Sequence, residues 1–255
     1  MQQEKSVQSV ERCFALLEQL AQRGSAAVTE LAAATGLHKA TVHRLLATLQ
    51  GLGYVCQAGQ GGPYTLTLKL LQLSSGSLQC FSLRSRAEPF LKKLTARCGE
   101  TVHLVAREGD STVYIDKFEA PNSAVRLSSR VGLSLPLWRT AAGKALLAAL
   151  PPAEAEAVFN RAKAATGPNA CPLTKAEFLK QLQTVKQCGY ALDNEENEPG
   201  VRCVGVALPP LPGVLAYAVS ISAPAYRFTN DLLPERVLAV TVVDQVRAHD
   251  RELEL

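Results

Sequence analysis

Two stretches of this chain, and scattered residues between them, have the types and spacing to do chemistry. His38, Lys39, Ala40, Thr41, His43 and Arg44 crowd together near the N-terminus. Lys39 and His43 are four apart, as are Ala40 and Arg44, so on a helix these pairs share the face opposite Val42, Leu46 and Leu49. Two cations there can neutralise phosphates, and His38, Thr41 and His43 can hydrogen-bond to bases or backbone. The five-residue step from His38 to His43 does not suit a metal pair on a helix. Far along the chain, Thr140-Ala141-Ala142-Gly143-Lys144 reads as a helix start whose small residues let a carboxylate approach backbone N–H groups. It lacks the spacing of a phosphate-binding P-loop. Ser220 and Ser222 alternate in an apolar run, which sends both hydroxyls to one side of a strand. Cys203 lies in another apolar run, and Asp193 precedes the acidic stretch Glu195, Glu196 and Glu198. Arg126 has the guanidinium to meet a carboxylate bidentately, with a plain surface charge as its alternative.

Catalysis finds little support in these groups. Paired carboxylates suit acid–base work, but the acidic stretch reads better as a solvated loop from which Asp193 accepts hydroxyls. No nucleophile elbow, Ser/His/Asp order or metal spacing appears. His103, alone in an apolar run, and Trp138, after Pro136-Leu137, read as structural. An anion-binding sensor is the expectation; an enzyme, or a sensor whose head binds protein, are the alternatives.

The elements that must hold these residues follow from periodicity. Val7, Val10, Phe14, Leu16, Leu17 and Leu20 mark an amphipathic helix over about 7–22. Thr29 has the type of an N-cap for a short helix through Leu31 and Ala34, where a phosphate can meet free N–H groups. A third helix starts near His38, with Leu45 and Leu52 added to its apolar stripe. Short strands at 54–56 and 64–66 flank a Gly-rich turn, whose Gln57 and Gln60 can touch a neighbouring backbone. Three helices and a hairpin in this order predict a winged helix-turn-helix over residues 1–67. A linker helix is expected at 68–80, then a helix over about 82–97 with Leu83, Ala87, Phe90, Leu91 and Leu94 inward. Strands are predicted at 101–107, 111–118, 124–128, 201–208 and 215–222. Helices are predicted at 140–150, 152–164, 174–188 and 230–252. Hairpin-linked strands with helices between them make an α+β domain on an antiparallel sheet over 81–255.

Bulk properties permit this and exclude little. The chain has 255 residues, 47% hydrophobic and 20% charged, as a globular protein has. Its net charge of +4 does not argue for nucleic acid. Residues 1–66 carry Lys5, Arg12, Arg23, Lys39 and Arg44 against Glu4, Glu11, Glu18 and Glu30, so a DNA-binding reading rests on where a few charges sit. Seven scattered cysteines form no zinc pattern and suit a reducing cytosol. The polar N-terminus and the lack of a ~20-residue apolar run predict a cytoplasmic protein without membrane contact. No cofactor or metal is expected.

Ordered blocks along nearly the whole chain resemble the IclR family of bacterial regulators. They are SVQSVERCFALLEQL, TELAAATGLHKATVHRLLATLQGLGYV and YTLTLKLLQL, then GETVHLVAREGDSTVYIDKFEA, VGLSLPLWRTAAGKALLA, GYALDNEENEPGVRCVGVALP and YAVSISAPAYRF. The resemblance implies a winged-helix head on operator DNA, a linker helix and a GAF-like domain binding a small organic acid. It also implies dimers, often paired into tetramers. Ala141, Ala142, Asp193, Cys203, Ser220 and Ser222 match positions that line the family's effector pocket. Where the family usually has serine-lysine-serine at the start of the recognition helix, this chain has His38-Lys39-Ala40, so an operator sequence does not carry over. The stretches 193–196 and 220–222 look closest to branch members that sense sugar-derived acids such as 2-keto-3-deoxygluconate. A repressor of a catabolic operon is the expected sense. An activator of aromatic-acid catabolism is the family alternative, and short keto acids also stay open as effectors.

Overall fold

A computed structural model describes residues 7–59, 61–74, 79–119, 127–209 and 215–228, side chains at 79–83, 86 and 168 excepted. Arg126, the expected helix at 230–252 and most of the expected strand at 124–128 lie outside them. Leu127 and Ser128 are not in a strand. The chain divides into two compact units, residues 1–78 and 79–255.

The first unit is a winged helix-turn-helix. Helices α1 (Gln8–Arg23), α2 (Val28–Thr35) and α3 (Lys39–Gly51) pack on a small antiparallel sheet of β1 (Ser25–Ala26), β3 (Tyr64–Leu66) and β2 (Val55–Gln57), in that order. β1 went unforeseen because two residues carry no periodicity. Leu16, Leu20, Leu31, Val42, Leu46 and Leu49 bury together with Val55 and Tyr64. Each such leucine contributes roughly 1.5–3 kcal/mol by leaving water. Gly36 makes the turn from α2 to α3 at φ 68°, a left-handed conformation glycine adopts without a Cβ penalty. The broad apolar stripe expected on α1 divides in two: Leu16 and Leu20 are buried, whereas Val7, Val10 and Phe14 are 63%, 51% and 60% exposed. Leu52 also leaves the α3 stripe for the surface, because it lies one residue past the end of the helix. Helix α4 (Lys69–Ser74) follows the wing.

The second unit is GAF-like. Strands β4 (Thr101–Glu108), β5 (Ser111–Phe118), β6 (Ser134–Pro136), β7 (Ala191–Asn194), β8 (Val201–Ala207) and β9 (Tyr217–Pro224) form one antiparallel sheet, ordered β6-β5-β4-β9-β8-β7. Alternation along the strands sends Val102, Leu104, Val204, Val219 and Ile221 to the face covered by α5 (Gln79–Cys98), through Ala87, Leu91 and Leu94. The opposite face receives α6 (Ala141–Ala149), backed by α7 (Pro152–Ala164) and α8 (Lys175–Cys188). Here Val105, Tyr114 and Ala218 pack with Leu137, Leu146, Phe159 and Phe178. β6 and β7 were not anticipated: one is three residues long and the other reads Ala-Leu-Asp-Asn, poor in strand formers. Pairing with β8, Ala191 to Gly205 and Asp193 to Cys203, makes β7 a strand.

Candidate functional site

In the head, α3 divides as its spacing predicts. Val42, Leu46 and Leu49 are buried, while His38, Lys39, Ala40, His43 and Arg44 are exposed and Thr41 is half-buried. His38 is the N-cap, with no side-chain cap hydrogen bond. The exposed cations therefore stand on the first two turns, where a helix end-on in a major groove meets DNA. Thr29 is not the cap expected of it. Ala27 holds that position, its N–H donating to Glu30 Oε2 at 2.7 Å, and Thr29 is exposed in the first turn of α2. A glutamate reaching back replaces the missing cap hydroxyl. In the wing, Gln57 Nε2 donates to the Gly62 carbonyl at 2.9 Å, which ties up the side chain expected to reach outward; Gln60 lies outside the described residues.

In the second unit the register gathers residues 10 to 117 positions apart onto the α6 face. Asp193 stands opposite Cys203, Cys203 opposite Ser222, and Gly205 opposite Ser220. Ser220 in turn faces His103. Asp193, Ser220 and Ser222 are 2%, 4% and 5% exposed, and Ala141 and Ala142 are buried beside them. The structure thus brings together Ala141, Ala142, Gly143, Asp193, Cys203, Ser220 and Ser222.

Glycine is required at two points here. A Cβ on Gly205 would lie 2.6 Å from the Ala141 carbon and the Ala142 nitrogen, so its absence lets the start of α6 sit directly on β8. A Cβ on Gly143 would lie 2.1 Å from the Leu137 carbonyl oxygen. Gly143 thus serves close packing, and its N–H donates to the Thr140 hydroxyl at 3.0 Å. The N–H groups of Ala141 and Ala142 have no acceptor among the described residues. The Ser220 hydroxyl likewise has no hydrogen-bond partner among them. Two amides and one hydroxyl able to donate therefore converge around Gly205.

The rest of the face is a polar chain. Ser222 donates to Cys203 Sγ at 3.0 Å, a longer contact of 3.5 Å links Ser222 Oγ to His103 Nδ1, and His103 Nε2 meets Ser129 Oγ at 2.9 Å. Burial, helped by the Lys117 charge, pushes the His103 imidazole down to about 3, so it stays neutral. Burial pushes the Cys203 thiol well above its ordinary range, so it is no nucleophile. Burial also raises the Asp193 carboxyl, against the pull of the Asn197 and Glu196 N–H groups and of Lys144. Asp193 Oδ1 accepts from those N–H groups at 3.2 and 2.9 Å, fixing the turn that follows.

Ser129 and Lys117 carry no signal in the sequence, where His103 reads as structural and Lys144 only as part of a helix start. His103 stands in an apolar strand, and only pairing with β9 puts it beside the serines. Trp138 is core, donating to the Asn169 carbonyl at 3.2 Å. Clefts of about 460 and 480 Å³ open nearby, the first between α8, Lys144 and Ala191, the second between Trp138, Arg139 and Pro172. They share Leu173, Gln181 and Glu196 and contain none of the converging donors. No group of three metal-binding side chains occurs among the described residues.

Comparison with known proteins agrees with this architecture. The model of the IclR helix-turn-helix domain matches residues 9–59, and that of the bacterial transcriptional regulator IclR C-terminal domain matches residues 75–248. HTH-type transcriptional regulator KdgR of Dickeya chrysanthemi is 37% identical over 253 residues, 97% of this chain and 83% of its own. HTH-type transcriptional regulator XynR of Escherichia coli is 37% identical over 201 residues, 78% of this chain and 79% of its own. The crystal structure of the Thermotoga maritima IclR superposes with a TM-score of 0.72 at 29% identity, covering 95% of this chain and 98% of that one. No helix among the described residues is long and apolar enough to cross a membrane. The chain belongs to the IclR family of bacterial transcriptional regulators, and is a ligand-responsive DNA-binding protein rather than an enzyme.

Proposed function

We propose that this protein is a cytoplasmic repressor of a catabolic operon that releases operator DNA on binding a small sugar-derived acid, of the type of 2-keto-3-deoxygluconate. The observation that carries the ligand class is the convergence of the free Ala141 and Ala142 N–H groups with the Ser220 hydroxyl, next to the buried Asp193. The donors suit a carboxylate at the start of a helix. Asp193, Cys203 and Ser222 suit hydroxyl groups further along the molecule. Arg126 is retained as a candidate for the same carboxylate. The likeness of residues 193–196 and 220–222 to sugar-acid-sensing members supports this choice over aromatic acids.

In this reading residues 1–67 bind the operator, 68–80 link, and 81–255 bind the effector and assemble the oligomer. Thr29, His38, Lys39, Ala40, Thr41, His43 and Arg44 make the DNA contacts. With so few cations, each head contacts few phosphates and the salt dependence is modest. A homodimer, or a pair of dimers, presents two heads to half-sites one helical turn or a multiple apart. The uncovered Val7, Val10 and Phe14 face of α1 supports a second copy as its cover. The effector acts by binding one pose of the dimer better than the other.

Calorimetry with 2-keto-3-deoxygluconate and 4-hydroxybenzoate tests the ligand class, and gel retardation of the upstream DNA with each acid tests the sense of regulation. Binding of the sugar acid with loss of retardation is expected. Binding of the aromatic acid alone would overturn the ligand class, and retardation that appears only with ligand would make the protein an activator.

A further inference from the structure

We infer that Lys144 is the positioning residue of the effector site, a single cation that ties the carboxylate-binding end of α6 to the Asp193 turn. The inference rests on the ligand site proposed above. Lys144 lies on α6 one turn after Ala141, and its side chain is 5% exposed. Its Nζ donates to the Leu192 carbonyl at 3.0 Å and to both Glu196 carboxylate oxygens at 2.5 and 2.6 Å. It therefore grips the chain on both sides of Asp193. From the inner side, the Asp193 carboxylate holds the N–H groups of Glu196 and Asn197. Arg139 adds one bond to the Asn197 carbonyl at 3.1 Å, and Glu195 bonds the Gly200 N–H at 2.8 Å. Glu195 itself sits at φ 64°, a left-handed conformation uncommon for a side-chain-bearing residue.

The charges explain why a cation is used. Asp193 and Glu196 bring two carboxylates onto one short turn, and Lys144 faces both. A buried ammonium with a bidentate partner and a carbonyl has its donors satisfied, which makes such a group a rigid strut rather than a liability. Since α6 rests on Gly205 with no side chain between, the strut, the helix start and β8 form one block. Removing Lys144 leaves Glu196 without its partner and Asp193 free to shift, while Ala141, Ala142 and Ser220 stay in place. The consequence is a change of selectivity. Acids bearing hydroxyls for Asp193 lose more affinity than acids that offer only the carboxylate head.

The test is Lys144→Met in the full-length chain. Hydrogen exchange at the Glu196 and Asn197 amides should accelerate at least tenfold, while Val219 and Ile221 in β9 keep their rates. In calorimetry the Kd for 2-keto-3-deoxygluconate should rise about tenfold more than the Kd for pyruvate, a 2-keto acid without hydroxyls. Unchanged exchange at Glu196 and Asn197 would overturn the inference, and so would a parallel acceleration in β9 or an equal loss for both acids. Glu196→Gln, which keeps the shape of the turn, should show the same exchange pattern more weakly if the methionine variant does not fold. If the wild-type protein binds neither acid, the proposed ligand class fails, and the exchange experiment alone still decides on Lys144.

Discussion

The head and the sensing unit solve opposite problems. On the head, the polar residues of α3 stand exposed on one flank while the leucines of the same helix form the core; function and folding are read from two sides of one element. In the sensing unit the polar residues are themselves buried, on four strands and the start of a helix, and no one element displays the site. DNA is a large anion met from outside, so a few mobile cations at the surface suffice. A small acid must be stripped of water, so its partners are fixed and partly dry before it arrives. The comparison teaches that a surface site can change residue by residue, whereas a buried one is a block whose members stand or fall together.

The sharpest way to break this contrast is to unfold one side alone. Leu46→Ala removes a fully buried side chain from the head and should cost about 2–5 kcal/mol there. Calorimetric melting should then show the head transition lowered, with ligand binding by residues 79–255 intact. Loss of ligand binding in that variant would show that the units are not independent.

Lys39→Ala with Arg44→Ala should weaken operator retardation more than 100-fold. It should reduce the slope of log affinity against log salt by about 2 and leave effector affinity unchanged. Operator binding at full strength would remove α3 as the reading helix. Ser220→Ala should raise the effector Kd about tenfold, worth about 1.4 kcal/mol, without touching DNA affinity. Unchanged calorimetry would remove that hydroxyl from the site.

A separate effect, on stability rather than binding, is on pH. The folded chain holds His103 neutral down to about 3, while the unfolded chain protonates it near its ordinary value of 6.5. Stability is thus fully present above that value and falls as pH drops, because only the unfolded state takes up the proton. Between pH 6 and 4 the wild type should lose up to about 1.4 kcal/mol per pH unit more than His103→Gln in urea unfolding. Parallel slopes would mean that the imidazole is already charged in the fold.

The same contrast decides what the sequence could show. A 3.6-residue period is local, so α1, α3, α6 and α8 were legible, and the split of α3 into a leucine side and a Lys/His/Arg side followed directly. The serine alternation was legible for the same reason, with period two. Pairing is not local. The place of His103 beside Ser222, the conversion of Ala191–Asn194 into a strand and the reach of Lys144 to Glu196 depend on which segments meet in the sheet. Caps fell between these cases: Thr29 has the right type, yet Glu30 reaching back to Ala27 did the work from inside the helix. Gly143 and Gly205 had to be glycine or pay in overlap, but a sequence does not say with which neighbour.

The central claim is that the exposed flank of α3 meets DNA, and cross-linking tests it most directly. A photoreactive benzoyl-phenylalanine at position 43 on α3, or at position 226 on the exposed surface of the sensing unit, is irradiated with labelled operator. Cross-links from position 43 and none from position 226 are predicted. Cross-links from 226, with none from 43, would contradict the account.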